Sequence, residues 1–298
     1  MTKDLLQRFI FENEPVRGEY VKLEESLQTI LNQHNYPAAV RKLLGEALCA
    51  AALLSAIIKF TGRLTVQFRG KGKLKLLLAQ CNDQYHLRGL AKYEGDLSYE
   101  ELMSAFHDGV LVIMLDSGAK GQRYQGVVKW QGDSLAASIE HYFRDSEQLA
   151  TKIWLHSEHD TATGFLLQVI PPADKDARGI ENEIINPSWQ RIVKLTEAAD
   201  QNILQQAGYP ELLTLVYPDE TIRIFDAAHV SFFCGCTRKR GQDAIELLGR
   251  EEAESELQDK QCIVVTCDFC NKEYVFDRVD VEAIFKNSEQ PPSDTHLH

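Results

Sequence analysis

The pattern of apolar and polar positions divides the chain into three stretches. In the first, strand-like and helix-like patterns follow one another. Asp4 to Ile10 is short and amphipathic. Val16 to Leu23 alternates with period two, as a half-buried strand does. Glu24 to Asn32 has helical spacing through Leu27, Ile30 and Leu31. Pro37 opens a longer helix to about Lys59, since proline is favoured in a first helical turn. Over Ala47 to Leu54 this helix is apolar on nearly every side, which predicts a buried, central position. Arg63 to Phe68 and Leu74 to Ala79 read as a hairpin, with a third strand over Tyr85 to Ala91. Ser98 to Phe106 reads as a short helix, and Val110 to Asp116 and Tyr124 to Trp130 as strands. Ser134 caps a helix to about Ser146. Thr151 to His156 and Phe165 to Ile170 complete the strand set.

Pro171 and Pro172 stop regular structure, because proline lacks a donor and restricts the residue before it. A polar linker follows over Asp174 to Gly179. Trp189 to Ala207 then has helical spacing, carried by Ile192, Val193, Leu195, Ala198, Ala199 and Ile203. Glu211 to Val216 is a shorter helix, and Thr221 to Phe225 alternates. This middle stretch is amphipathic but too short to bury its apolar face alone, so it must lean on a neighbour. In the third stretch Ala244 to Gln258 reads as an acidic helix. Cys262 to Thr266 and Tyr274 to Phe276 read as strands, Val281 to Lys286 as a helical turn, and Ser288 to His298 as disordered. The expected fold class is α+β. Residues 1–172 form a mixed α/β core domain and 173–231 a metastable helical linker region. Residues 232–287 form a small zinc-binding domain, and 288–298 a tail.

Composition narrows the function classes. A hydrophobic fraction of 44% is enough for a sizeable core. The longest apolar run, Ala47 to Ile58, is too short to cross a bilayer. Charges interrupt the apolar positions of Met1 to Ile10, so this is no signal peptide. Seven unevenly spread cysteines do not make a secreted disulfide framework, and a reducing, cytoplasmic setting is expected. The net charge of −12 is concentrated at the end, where residues 251–298 hold twelve acidic and four basic side chains. A module that grips nucleic acid carries the opposite sign.

The chemistry lies in the cysteines. Cys234-Gly-Cys236 and Cys267-Asp-Phe-Cys270 stand about thirty residues apart, and each pair sets two sulfurs on one side of a turn. Four soft thiolates suit one tetrahedral Zn²⁺ ion. Either pair can also oxidise to a local disulfide once the metal is gone. A closed structural ribbon and a redox switch are both compatible with the spacing, although a Cys-x-Cys disulfide closes a small, strained and reducible ring. Arg238-Lys239-Arg240 could balance the thiolate charge or lower the thiol pKa values. Cys49 and Cys81 read as packing residues and Cys262 as a spare thiol. His141, His156 and His159 lack partners for a metal or catalytic role. No nucleophile motif or metalloprotease motif occurs, and a site filled by four thiolates has no open position for catalysis. Apart from the switch, the readings are a constitutive zinc-ribbon protein binding nucleic acid or a ribosomal partner, and a thiol–disulfide oxidoreductase using Cys267 and Cys270.

In order and over essentially its whole length, the chain resembles the redox-regulated 33 kDa chaperonin family, heat shock protein 33. The resemblance rests on Arg17-Gly18, the helix from Pro37, Gly62 to Gln67, Tyr142-Phe143-Arg144-Asp145-Ser146-Glu147-Gln148, Phe233 to Cys236 and Cys267 to Asn271. The turn Gly70 to Lys73 departs from it, being more basic. The resemblance implies a non-enzymatic, ATP-independent holdase for proteins unfolding under oxidative and heat stress. It implies one zinc ion per chain on Cys234, Cys236, Cys267 and Cys270 when reduced. On oxidation it implies Cys234–Cys236 and Cys267–Cys270 disulfides, a loosened middle segment and an active homodimer. Exposed apolar residues such as Trp189, Ile192, Leu195 and Ile203 are then the candidates for gripping clients. Neither a membrane nor a nucleic acid is an expected partner.

Overall fold

The computed structural model describes residues 4–98, 100–102, 109–117, 123–128, 130, 134–171, 186–199 and 211–288. The chain divides into two compact units, Met1–Phe233 and Cys234–His298.

The first unit is built on the apolar helix. Helix α1 (Glu25–Leu31) precedes α2 (Ala38–Ile57), and fifteen of the twenty residues of α2 are buried. Two sheets pack against α2 from different sides, which is why no face of it is polar. The first sheet has the order β10-β1-β2-β9-β8, with β11 also paired to β1. Its strands are β1 (Leu5–Phe11), β2 (Val16–Leu23), β8 (Thr151–Glu158), β9 (Thr161–Val169), β10 (Ile222–Ile224) and β11 (Ala228–His229). The second sheet has the order β12-β5-β4-β3-β6-β7. It is made of β3 (Arg63–Arg69), β4 (Leu74–Asn82), β5 (His86–Tyr93), β6 (Val110–Asp116), β7 (Arg123–Val128) and β12 (Ser231–Phe232). Close approach of helix and sheet requires Gly45, where an added Cβ would stand 2.1 Å from the Ser157 Oγ. The open amides at the start of α1 are met from a distance, since the buried Asp4 carboxylate accepts from the N–H groups of Glu24, Glu25 and Ser26 at 2.5, 3.0 and 2.6 Å.

Two helices expected in this unit differ in the structure. The helix capped by Ser134 is α3 (Leu135–Tyr142). It widens into a single π-helical turn over Phe143–Glu147, ended by Gln148 in a left-handed conformation (φ 55°). The helix expected over Ser98 to Phe106 is helical at 100–102, Ser98 stands before it outside any helix, and residues 99 and 103–106 lie outside the described residues.

The middle stretch folds onto the first sheet. Helices α4 (Pro187–Ala198) and α5 (Glu211–Val216) cover the sheet face turned away from α2. Trp189, Ile192, Val193, Leu212, Leu213 and Val216 are buried there with Phe9, Phe11, Val16, Tyr20, Phe165, Leu167 and Val169. The neighbour that an amphipathic stretch of this size requires is therefore an aromatic-rich sheet face, brought from far away in sequence. Arg191 adds ion pairs to Glu14 and Glu220 at the rim. The chain then runs along β1 as β10 and β11 and crosses to the second sheet, where β12 pairs parallel with β5. The Phe233 N–H donates to the Leu87 carbonyl at 3.0 Å, one residue before Cys234.

The second unit contains helices α6 (Arg238–Leu248), α7 (Arg250–Asp259) and α8 (Arg278–Ser288), with a hairpin of β13 (Cys262–Thr266) and β14 (Glu273–Asp277). The single acidic helix expected over 244–258 is instead two helices, because Gly249 takes φ 96° and turns the chain. The expected last turn is a full helix. Asp277 and Asp280 each accept the other's backbone N–H, at 2.9 and 3.1 Å, and this reciprocal cap starts the helix early.

Candidate metal centre

Two local features present the four sulfurs. Cys234 and Cys236 lie on the extended segment leading into α6, where the Thr237 hydroxyl accepts from the Arg240 N–H at 3.3 Å and caps the helix. Cys267 and Cys270 lie in the turn of the β13–β14 hairpin. That turn is closed by Cys267 N–H to Lys272 O at 3.0 Å and Asn271 N–H to Cys267 O at 2.9 Å. Asn271 takes the left-handed conformation such a turn demands (φ 52°).

The two knuckles converge. All four Sγ atoms lie within 4.8 Å of one another. The Cys234–Cys267 separation is 3.6 Å and the Cys236–Cys270 separation 3.4 Å. A tetrahedral Zn²⁺ with bonds of about 2.3 Å sets its sulfurs roughly 3.8 Å apart, so a small breathing motion accommodates the ion. Four sulfur donors and no oxygen select a soft or borderline metal, and four protein ligands fill a zinc shell completely. The residues present fit zinc in a structural role.

The electrostatics favour anionic sulfur on one side of the cluster. Burial works against the Cys236 thiolate. Hydrogen bonds from the Tyr274 hydroxyl, at 3.3 Å, and from the neighbouring thiols outweigh it and bring Cys236 down to about 7. Burial pushes Cys270 up to about 12, with the surrounding sulfurs adding to the rise, and Cys234 is raised for the same first reason. The positive end of α6 lies just after Cys236 in the chain, where a helix dipole favours negative charge. Two residues of the basic triplet are engaged with carboxylates. Arg238 pairs with Asp280 at 2.8 Å and lies 4.3 Å over the Phe276 ring, while Lys239 pairs with Asp243 at 3.0 Å.

The other cysteines stand apart from the cluster. Cys49 and Cys81 are buried in the main core, where burial raises both thiols, Cys81 to about 12. Cys262 is half-buried on β13 opposite Asp277. Of the apolar residues read as candidates for client binding, Trp189 and Ile192 are buried against the first sheet and Leu195 packs at the edge of that cluster. Ile203 lies outside the described residues. Sequence reasoning misses Tyr274 and Thr237. The signal for Tyr274 is a phenol four residues beyond Cys270, at the start of the strand leaving the knuckle. Among the described residues no helix is long and apolar enough to cross a membrane.

The chain is similar to known proteins over nearly its whole length. The family model described as Hsp33 protein matches residues 4–277. The chain is 41% identical over 292 residues to the 33 kDa chaperonin of Shewanella sediminis, covering 98% of this chain and 99% of that one. It is 38% identical over 296 residues to the 33 kDa chaperonin of Nitrosococcus oceani, covering 99% of both. The crystal structure of the Thermotoga maritima 33 kDa chaperonin shares the fold, with a TM-score of 0.78 at 23% identity over 95% of this chain and 98% of that one.

Proposed function

The chain belongs to the Hsp33 family, and from that premise we propose that it is a redox-regulated, ATP-independent holdase, inactive while its four clustered thiols are reduced and metal-bound. One observation carries the reading. Two segments more than thirty residues apart bring four sulfurs within 4.8 Å of one another. They do so in a unit whose buried core is small: Ile245, Ala253, Leu257, Phe276, Val281, Ile284 and Phe285.

Cys234, Cys236, Cys267 and Cys270 would hold one Zn²⁺ per chain, which supplies a cross-link between the entry to α6 and the β13–β14 turn. Structural sites of this kind contribute roughly 10–16 kcal/mol to a small module, against a net domain stability of about 5–15 kcal/mol. Folding of the second unit therefore depends on sulfurs that remain thiolates. A peroxide takes two electrons from a pair of thiolates and two protons from solvent. Its O–O bond breaks, two waters leave and one S–S bond forms.

Which sulfurs pair decides the outcome. Cross-knuckle disulfides would close loops of more than thirty residues and staple the unit shut again. Pairing within each knuckle, Cys234 with Cys236 and Cys267 with Cys270, closes rings of a few residues and leaves the unit free to unfold. All four sulfurs stand within 4.8 Å of one another in the folded unit, so either pairing is within reach there.

Opening reaches the middle stretch through the backbone. Phe233 is bonded to Leu87 and directly precedes Cys234, so freeing Cys234 frees the end of the β10–β12 segment. Helices α4 and α5 can then leave the first sheet. This uncovers Trp189, Ile192 and Leu195 on α4 and the aromatic face of the sheet beneath. Contiguous apolar surface of this kind binds unfolded chains. In this reading the protein works in a reducing cytoplasm, its active form is a homodimer, and it acts on clients rather than on nucleic acid or membranes.

The test combines zinc release, read with a chromogenic chelator, and light scattering from a denatured client without ATP. Peroxide with mild heat should release zinc and suppress aggregation. If zinc is retained and the client aggregates as in buffer alone, the reading is wrong.

A further inference from the structure

We propose that Tyr274 is a positioning residue of the sulfur centre, its phenol donating a hydrogen bond that holds Cys236 as a ligand and slows that sulfur's oxidation. This rests on the switch reading above and assigns a part of it to a residue outside the cysteine set.

The geometry comes from the hairpin. Tyr274 pairs with Val265 across β13–β14, and its hydroxyl stands 3.3 Å from the Cys236 Sγ. The contact joins the two knuckles by a second route, because Tyr274 belongs to the strand leaving the Cys267–Cys270 turn while Cys236 belongs to the segment entering α6. The ring is anchored separately from the hydroxyl. It packs beside the small core of the unit, and the Lys272 ammonium lies 5.3 Å from its centroid. A strand that has to serve only the core needs an apolar residue here, as Phe276 is two positions on. A phenol places a donor on a sulfur.

A hydrogen bond to a ligand sulfur has two consequences. It fixes the direction of the sulfur lone pairs, and partners of this kind typically carry a 10–100-fold share of metal affinity. It also draws on the electron density that attacks an oxidant. In that attack the Cys236 thiolate bonds to one peroxide oxygen, the O–O bond breaks and hydroxide leaves, giving a sulfenic acid. The Cys234 thiol then attacks that sulfur, its proton goes to the departing hydroxyl, water leaves and the Cys234–Cys236 disulfide forms. Loss of the phenol donor accelerates the first of these steps and weakens ligation, so both effects hasten release.

The experiment compares the zinc-loaded full chain with Tyr274→Phe, which keeps the ring and removes only the oxygen, and with Lys260→Ala, which alters an exposed ion pair of the same unit away from the sulfurs. Competition with a chromophoric chelator under reducing conditions measures affinity, and release under a fixed peroxide concentration measures rate. Tyr274→Phe should bind zinc about tenfold or more weakly and release it several times faster, with Lys260→Ala close to wild type in both. Equal affinity and equal rate in Tyr274→Phe and wild type would overturn the proposal, as would a Lys260→Ala variant that loses as much as Tyr274→Phe. A Tyr274→Phe variant that binds no zinc while Lys260→Ala binds normally supports it. A wild type that keeps its zinc in peroxide would count against the switch reading, and the chelator competition on reduced protein would still decide the tyrosine's role.

Discussion

The hydroxyls of Thr196 and Tyr217 meet at 2.5 Å in a buried position. Thr196 belongs to α4, and Tyr217 is the residue after α5. Tyr217 also sets its ring edge-on to Phe11 of β1, 5.0 Å between centroids. One short contact thus ties the two covering helices to each other and to the sheet beneath. The two hydroxyls are unequal. Thr196 keeps a second bond, to the Ile192 carbonyl at 2.9 Å, and burial raises the Tyr217 phenol well above its ordinary range. Thr196→Val should therefore cost about 1–3 kcal/mol by stranding the buried phenol, and Tyr217→Phe about 1 kcal/mol or less. The double variant should be more stable than Thr196→Val alone. Urea denaturation at neutral pH measures all three. Equal losses in the two single variants would show that the hydroxyl pair does not hold the helices.

Ile192 is fully buried between α4 and the aromatic sheet face. Ile192→Ala should open a cavity costing about 2–5 kcal/mol. If α4 is the cover of the client-binding face, the cost falls on the docked state of that helix. The reduced, zinc-loaded variant should then bind an apolar dye and hold a denatured client at a lower temperature than wild type. Lys194→Ala, on the polar side of the same helix, is the control. A variant that loses this much stability and stays as inert as wild type would place client binding elsewhere on the molecule.

How far the fold can be read from sequence follows from how local each signal is. The apolar run of α2 and the two cysteine knuckles are complete within a few residues, so helix length, burial and sulfur spacing are legible in the chain itself. β13 starts at Cys262 and ends at Thr266, as its pattern indicates. The acidic helix reads as continuous because helical periodicity carries on across Gly249, and only the positive φ of that residue breaks it. The two-residue strands β11 and β12 are too short to carry any period. The cap of α1 by Asp4 and the seat of α4 on Phe9, Phe11 and Phe165 are long-range pairings that no local pattern encodes. Tyr274 reads only as a strand residue because a phenol and a phenylalanine fit the same alternation. Its oxygen matters once the strand is placed beside Cys236.

Metal removal without oxidation separates the two units. A chelator added to the reduced protein should abolish amide-exchange protection in β13 and β14, since a core of this size does not stand without its cross-link. Strands of the first unit that flank α2, such as β3 and β9, should keep their protection. Peptide-resolved hydrogen exchange gives the comparison directly. A hairpin that stays protected after the chelator has taken the zinc would mean that the sulfurs do not hold the unit together.

The first unit should also carry a pH dependence of its own. Glu19 lies on β2 with its side chain buried, and among the described residues its Oε2 has no hydrogen-bond partner. Burial pushes its carboxyl up to about 8, against the opposing pull of Arg17 and Arg8. The folded chain therefore holds a proton there that the unfolded chain releases near its ordinary value of 4.5. Between those two values the native state binds more protons than the unfolded state, so stability falls as pH rises. The contribution is fully present below 4.5, declines through neutrality and is lost above about 8. Glu46 on α2, raised by burial to about 7, acts with the same sign over a narrower window. Glu19→Gln mimics the protonated form at every pH. It should match wild type near pH 4.5 and exceed it at pH 8 by a few kcal/mol, about 1.4 kcal/mol for each pH unit of raised pKa at most. Urea midpoints of the first unit at the two pH values, followed by tryptophan fluorescence since all three tryptophans lie in that unit, test this. A Glu19→Gln variant that loses stability equally at both would mean that the carboxylate is ionised and paired in the native state, and that Glu19 favours folding at high pH rather than low.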